Sequence, residues 1–300
     1  MATSQQIHLV YDGTASVTLR LLRALGWGPE LLCLGSFLAR GPLNALNLLP
    51  SRFRLASAQQ RLLRHSASLL APRPGDRILD VACGRGGSSY HLAQAYPGTD
   101  VVGIDLLPAN VQVASTLFAN TRGLGYQVGD AQRLSFAPAS FDKVFCLEAA
   151  FHFPDRSRFL AEAARVLRPG GRLVLVDFMW SSRERSPARD DARFALVRRT
   201  WGFEDFSAEA EYAQTAAGVG FTVAARHDWS GRVTRPLQGQ FDVLARLGLT
   251  PAGRWLLCRS HERLRGFSRG EWQEIARACE AHAFIHKHSR YVALTLEKRA

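Results

Sequence analysis

Lysine is nearly missing from this 300-residue chain. It stands only at Lys143, Lys287 and Lys298, so almost all of the 38 basic residues are arginine. The formal net charge is +12, which favours anionic partners. The arginines are nevertheless scattered, with no dense tract and no aromatic-interleaved pattern of the kind RNA-binding chains carry. They read as solvated helix faces, and no nucleic-acid partner is expected. An anionic carrier protein or a membrane surface stays open.

Cysteine is also sparse and unpaired in pattern. The five residues Cys33, Cys83, Cys146, Cys258 and Cys279 include no CxxC spacing. An odd count without that spacing argues against a disulfide framework or a structural zinc site and fits a reducing, cytoplasmic location. No stretch reaches the roughly 18 to 20 apolar residues that span a bilayer. The greasiest early segment, 31–49, is broken by Arg40, Gly41 and Pro42. The N-terminus lacks a charged region followed by an apolar run and a cleavage site, so no signal peptide is expected. Internal repeats and low-complexity tracts are missing as well.

What is there is a hydrophobic fraction of 47%, enough for a real core, and a strict alternation of strand and helix. Residues 1–70 look helical, with leucines at helical spacing in 57–70. A turn-rich break follows at 71–76. Strands are predicted at 77–82, 101–105, 126–130, 141–148 and 172–178. Helices are predicted between them, at 88–96, 108–120 and 155–167. After Trp180 the spacing predicts no strand over 181–206, a helix at 209–218, a strand at 221–225, helices over 236–285 and a last strand at 288–296. Such βα units imply a parallel sheet covered on both faces. The expected organisation is a helical N-terminal cap (1–70), a nucleotide-binding core (71–180), and the rest of the sheet with helical insertions (181–300).

Between the first strand and the first core helix lies Asp80-Val81-Ala82-Cys83-Gly84-Arg85-Gly86-Gly87. Such a turn gathers backbone N–H groups and a positive helix end at one point. A dinucleotide fingerprint would want glycine where Ser89 stands. Asp105 ends the second strand, where a carboxylate can accept both ribose hydroxyl hydrogens. Asp130 follows the third strand, where an acid can accept from an adenine amino group. Three acids in order along one sheet edge fit the place where open α/β sheets bind ligands.

Together these residues resemble the class I S-adenosylmethionine (SAM)-dependent methyltransferases. The family's first motif, hydrophobic-Asp-hydrophobic-x-Cys-Gly-x-Gly, is matched by residues 79–86, and the resemblance is strong over 77–178. It implies a Rossmann-like, seven-stranded, mostly parallel α/β sheet with a helical N-terminal and insertion lid. It also implies SAM as cofactor. Asp80 and the turn from Gly84 to Gly86 would then hold the methionine part, Asp105 the ribose, and Asp130 and Ala131 the adenine, with Ala82 and Leu106 also binding the cofactor. The backbone of Cys146 and Leu147 would face the methionine amino group.

The segment Leu147-Glu148-Ala149-Ala150-Phe151-His152-Phe153-Pro154-Asp155-Arg156 is similar to a subgroup that methylates small molecules. That subgroup includes macrolide and sugar O-methyltransferases and the quinone and tocopherol C-methyltransferases. Gln59 lies in a helix similar to the subgroup's, and Tyr11 in a segment similar to its lid. Both would therefore reach the cofactor. The resemblance implies natural-product, and specifically antibiotic, biosynthesis. A small, hydrophobic or carrier-bound acceptor would be methylated at a hydroxyl.

His152 is the candidate base, because an unperturbed imidazole titrates near neutrality. Its replacement by alanine would then lower turnover about 100-fold. The bland alternative makes it pocket wall. A second base could sit at His227-Asp228, and Asp177 reads as structural. His282, His286 and His288 read as a polar turn rather than a metal site. The aromatic residues Trp27, Phe37, Phe53, Trp180, Trp201, Phe203, Phe206, Phe241 and Trp255 would roof the acceptor. Competing readings are C- or N-methylation of a quinone, lipid or amine, a non-catalytic SAM-binding protein, and a nicotinamide oxidoreductase.

Overall fold

The computed structural model describes residues 17–26, 31, 33–36, 52–181 and 187–300. Seven strands form one sheet: β1 (Arg77–Val81), β2 (Asp100–Asp105), β3 (Leu124–Val128), β4 (Phe141–Leu147), β5 (Leu167–Trp180), β6 (Phe221–Asp228) and β7 (Ser289–Lys298). Their spatial order is β3-β2-β1-β4-β5-β7-β6. All neighbours are parallel except β7, which runs antiparallel to both β5 and β6. The expected mostly parallel, Rossmann-like sheet is therefore present. Strand order reverses between β1 and β4, so a crevice opens at their carboxyl ends.

Ten α-helices surround the sheet among the described residues: α1 (Val17–Ala24), α2 (Arg52–Leu69), α3 (Gly87–Ala95), α4 (Pro108–Leu117), α5 (Arg156–Val166), α6 (Ala192–Trp201), α7 (Glu209–Gly218), α8 (Thr234–Leu249), α9 (Pro251–Ser260) and α10 (Arg269–His288). Side chains alternate between the sheet's faces with the period of a strand. Leu79, Val144, Leu173 and Leu294 pack on one face with Phe159 and Leu160 of α5 and Tyr212 of α7. Ile78, Phe145, Val174 and Ala293 pack on the other with Leu62 and Leu63 of α2, Leu92 of α3 and Leu237 of α8. Burial on both faces explains why these strands read as near-continuous apolar runs. Each such Leu, Ile or Val contributes about 1.5–3 kcal/mol.

Local signals explain the ends of several elements. Asp155 caps α5 by accepting from Arg158 N–H at 2.9 Å, which satisfies one of the donors a helix start leaves open. Pro108 begins α4, where its missing N–H costs nothing. The structure departs from the expected pattern at β5. The pairing of β4 with β5 shifts register between Phe141 and Lys143, so Pro169, Gly170 and Gly171 lie inside the strand's span instead of before it. The segment 181–206, read as lacking strands, contains α6. The residues His282, His286 and His288 are not a turn, because α10 continues through them to His288.

Helices after β5, together with α1, form a roof. Leu21 of α1, Leu244 of α8, Leu257 of α9 and Trp272 and Ile275 of α10 make one apolar cluster. A second, aromatic cluster joins Phe151 and Trp180 to Phe194, Phe203 and Phe206.

Candidate active site

The turn after β1 is tight and left-handed in places. Ala82, Gly84 and Gly86 have φ of 55°, 56° and 87°. A Cβ on Gly86 would sit 2.7 Å from both the Ala114 Cβ and the Tyr126 hydroxyl oxygen, so only glycine fits there. Tyr126 Oη donates to Gly86 O at 2.8 Å, and Cys83 N–H donates to Ile104 O at 2.8 Å. These bonds pin the turn between β2 and β3. Asp80, at the end of β1, accepts from the Ser88 and Ser89 hydroxyls at 2.6 Å each. Burial pushes its carboxyl up to about 6, with those hydroxyls pulling the other way.

Asp105 closes β2 beside this turn. Its Oδ2 accepts from Gly84 N–H at 2.9 Å, and its Oδ1 from Leu107 N–H at 3.0 Å and Asn110 Nδ2 at 3.1 Å. Burial raises its pKa, and those three donors oppose the rise. Asp130 beyond β3 accepts from Gln132 N–H at 2.8 Å through Oδ1. Asp80, Ala82, Gly84, Asp105, Leu106, Asn110, Asp130, Ala131, Leu147, Glu148, His152 and Phe153 line one cleft along this edge, with about 1190 Å³ of free space including its open mouth. Leu106 is 47% exposed and offers an apolar surface between the acids.

A second cavity, of about 940 Å³, lies under the roof. Leu22 of α1, Phe178 of β5, Trp201 of α6, Phe241 of α8 and His282 and His286 of α10 contribute to its wall, with Phe203 and Phe206. Glu148 lines both cavities. It follows β4 with φ of 51°. Its two oxygens accept from Leu34 N–H at 3.1 and 3.0 Å, and Tyr291 Oη donates to Oε1. Enclosure raises its carboxyl to about 7, against the pull of those donors. A carboxyl near neutrality at the meeting of two cavities is the setting a general base needs.

Comparison with known proteins puts a family beside this geometry. The family model described as a methyltransferase domain matches residues 79–175. By that match, residues 79–175 are a methyltransferase domain. The chain is 44% identical over 111 residues to the 2-methyl-6-phytyl-1,4-hydroquinone methyltransferase of Synechocystis sp., covering 37% of this chain and 34% of that protein. It is 39% identical over 128 residues to the 27-O-demethylrifamycin SV methyltransferase of Amycolatopsis mediterranei, covering 42% and 47%. The chain spans between about a third and a half of the length of the curated relatives it matches.

Among solved structures, the cyclase SpnF superposes with a TM-score of 0.69 at 22% identity, over 99% of this chain and 97% of that one. Geranyl diphosphate methyltransferase bound to GPP and sinefungin superposes at 0.68 and 18%, over 98% of each. At these identities the superpositions speak for the fold alone.

The methyltransferase domain's donor set fits SAM. Buried Asp80 and Asp105 line the cleft with the half-buried Asp130, whose Oδ2 carries no hydrogen bond among the described residues. The glycine turn and the exposed Leu106 share the same lining. Of the residues named from sequence, Asp80, Ala82, Gly84, Asp105, Leu106, Asp130, Ala131, Leu147 and His152 come together on this cleft. Gly86 instead supports the turn from behind.

The Cys146 side chain faces the core beside Leu79 and Phe159, because alternation along β4 turns it away from the edge, which leaves only its backbone for the role expected of it. Gln59 does not line the cleft either. Its buried amide donates to Leu31 O at 3.1 Å and Cys33 O at 2.6 Å. Leu31 and Cys33 are themselves on the cleft wall, so Gln59 is one step removed. Tyr11 lies outside the described residues.

His152 ends a short helical turn over Ala150–His152. Arg156 clamps that turn by donating to Ala150 O at 3.1 Å, Phe151 O at 2.9 Å and Asp205 O. The His152 Nδ1 lies 3.3 Å from Gly202 O. Burial lowers its pKa to about 4, so the ring is neutral at pH 7 and a weak base. His227 and Asp228 line neither cavity: His227 stacks on Trp229, and Asp228 pairs with Arg290 at 3.6 Å. Asp177 is fully buried and pushed up to about 8 by that burial.

The expected roof is reached by Trp201, Phe203, Phe206 and Phe241. Trp180 belongs to the core, and Trp255 is 63% exposed. Trp27, Phe37 and the Phe53 side chain lie outside the described residues. Sequence reasoning missed Glu148. Its place at the strand-end edge shared with Asp80 and Asp105 was legible, but the distant partners that hold it, Leu34 and Tyr291, were not.

Proposed function

We propose that this protein transfers the methyl group of SAM to a hydroxyl of a small, mostly apolar acceptor seated in the roofed chamber. The observation that carries this reading is Glu148, which lines the cofactor cleft and the chamber at once. Bound SAM supplies a methyl group made electrophilic by its positively charged sulfur. Asp105 and Asp130 orient the nucleoside, and the glycine turn with Asp80 holds the amino-acid end. Phe151, Phe178 and Phe206 exclude water from the acceptor, so its oxygen meets the methyl group in a dry, fixed geometry.

Glu148 takes the hydroxyl proton as the oxygen gains the methyl group. A group near pH 7 is better matched to that task than His152, which burial holds near 4. His152 is the second candidate, because it too lines the cleft. The similarity to a rifamycin O-methyltransferase supports natural-product O-methylation. The similarity to a hydroquinone methyltransferase supports methylation of a quinone-type ring as the alternative. No helix among the described residues is long and apolar enough to cross a membrane.

The test is incorporation of radiolabelled methyl groups from SAM into polyketide, glycoside and quinone panels. A labelled, base-stable methyl ether is expected. Tight binding of S-adenosylhomocysteine (SAH) with no labelled product across the panel would instead favour a SAM-binding protein without transfer activity.

A further inference from the structure

The chamber's polarity says more about its occupant than its size does. The chain carries 38 arginines and lysines, yet none is among the described residues of this wall. A phosphate or diphosphate brought there would lose its hydration with no cation to meet it, a cost of several kcal/mol or more. The described residues also hold no cluster of His, Cys, Asp and Glu that could carry a bridging metal ion. The sulfhydryl of Cys279 is kept protonated by burial.

The polar side chains on the wall are mostly occupied. Gln238 Nε2 donates to Asp242 Oδ1 at 2.6 Å and to Cys279 O at 3.0 Å. His282 bonds Ala278 O through Nδ1 at 2.7 Å and takes the Trp201 indole N–H on Nε2 at 2.7 Å. His286 differs. It lies one helical turn further along α10 and stacks parallel on Phe178, with ring centroids 6.4 Å apart and planes 6° apart. Its Nδ1 is buried without a hydrogen-bond partner, and no bond to Nε2 exists among the described residues. Burial and the neighbouring His282 hold this imidazole uncharged, with its pKa near 3. A buried imidazole left unbonded in an apolar wall is costly unless something completes it.

We propose that the chamber selects uncharged, mostly apolar acceptors bearing a hydroxyl group, and that His286 is the specificity residue that hydrogen-bonds such a hydroxyl. A neutral imidazole both donates and accepts one hydrogen bond, which suits a phenol or alcohol. It gives an anionic head no charge to pair with. Phe178, against which His286 lies, also packs edge-on to Tyr291 at 5.1 Å, and Tyr291 donates to Glu148. The recognising ring and the proposed base are thus linked through Phe178 and Tyr291, by two ring contacts and one hydrogen bond. The inference rests on the chamber being the acceptor site of the proposed methyl transfer.

The test is direct binding to the full chain, with and without SAH, followed by calorimetry and tryptophan fluorescence. The probes are 4-hexylphenol, hexylbenzene and 4-hexylphenyl phosphate. The wild-type protein is expected to bind the phenol about tenfold more tightly than hexylbenzene, the worth of one buried hydrogen bond, and the phosphate ester at least 100-fold more weakly than the phenol. In His286→Phe the phenol should fall to the affinity of hexylbenzene, and His286→Gln should restore part of the difference. SAH affinity should be the same in all three proteins, which shows that they are folded.

Equal binding of phenol and phosphate ester would overturn the proposal. So would a phenol preference that survives in His286→Phe, or no binding of any probe. Failure of SAH to bind would defeat the methyl-transfer reading instead, while the probe preferences on the cofactor-free protein would still decide the role of His286.

Discussion

Replacing Glu148 by glutamine separates its two burdens, on the fold and on the reaction. The amide keeps the shape, and its oxygen can still accept from Leu34 N–H and Tyr291 O–H, but it cannot take a proton near neutrality. Because burial raises the folded carboxyl to about 7, the native state holds this proton longer than the unfolded chain does. Stability is therefore lost as pH climbs from the ordinary carboxylate range toward 7, and the cost is constant above that. At pH 8 it amounts to about 3 kcal/mol, and at pH 5 to less than about 1 kcal/mol.

Glu148→Gln should thus melt roughly 3 to 6 °C higher than wild type at pH 8, after allowing for weaker hydrogen bonds, and about the same at pH 5. Its turnover should fall by about 100-fold or more. Wild-type kcat/KM should rise with pH and level off above about 7, and the variant should lose that inflection. Melting curves at the two pH values, with initial rates of methyl incorporation from pH 5.5 to 8.5, provide the assay. A variant with wild-type turnover and an unchanged inflection would refute the role given to Glu148.

Two further outcomes follow from the same groups. His152→Ala should cost less than about tenfold in turnover and keep the inflection near 7, since its imidazole titrates far below that; a 100-fold loss with the inflection gone would return the base to His152. Asp177, raised to about 8 by burial, should make the cofactor-free protein lose thermal stability between pH 6.5 and 8.5. Asp177→Asn should flatten that slope in calorimetric scans, and an unchanged slope would contradict the assignment.

The parts of the site that were legible in the sequence are those built from local pattern. Asp80, Gly84, Asp105 and Asp130 are each placed by a strand that ends beside a turn, and strand ends can be counted from apolar runs and glycines. The β-α alternation over residues 77–178 was readable for the same reason. What was not readable depends on distant contacts. Glu148 is shaped by Leu34 and Tyr291, at separations of 114 and 143 residues, and nothing in Leu147-Glu148-Ala149 announces either partner.

His286 was mistaken for turn because polar residues clustered ahead of the last strand. In the fold, the apolar residues Ala281 and Ile285 anchor that stretch, and α10 runs on to β7 without a break. At Cys146 the expectation concerned the backbone alone, and strand alternation sends its side chain into the core. Gln59 bonds to Leu31 and Cys33 on the cleft wall and does not line the cleft itself.

The claim beneath all of this is that one edge of the sheet binds a sulfonium nucleoside, with Asp105 on its sugar. Calorimetric titration of SAH into the purified full chain, repeated with Asp105→Ala, tests it most directly. Saturable binding to the wild type, weakened at least tenfold in Asp105→Ala, is the predicted result. Absence of binding, or equal affinity in the two proteins, would contradict it.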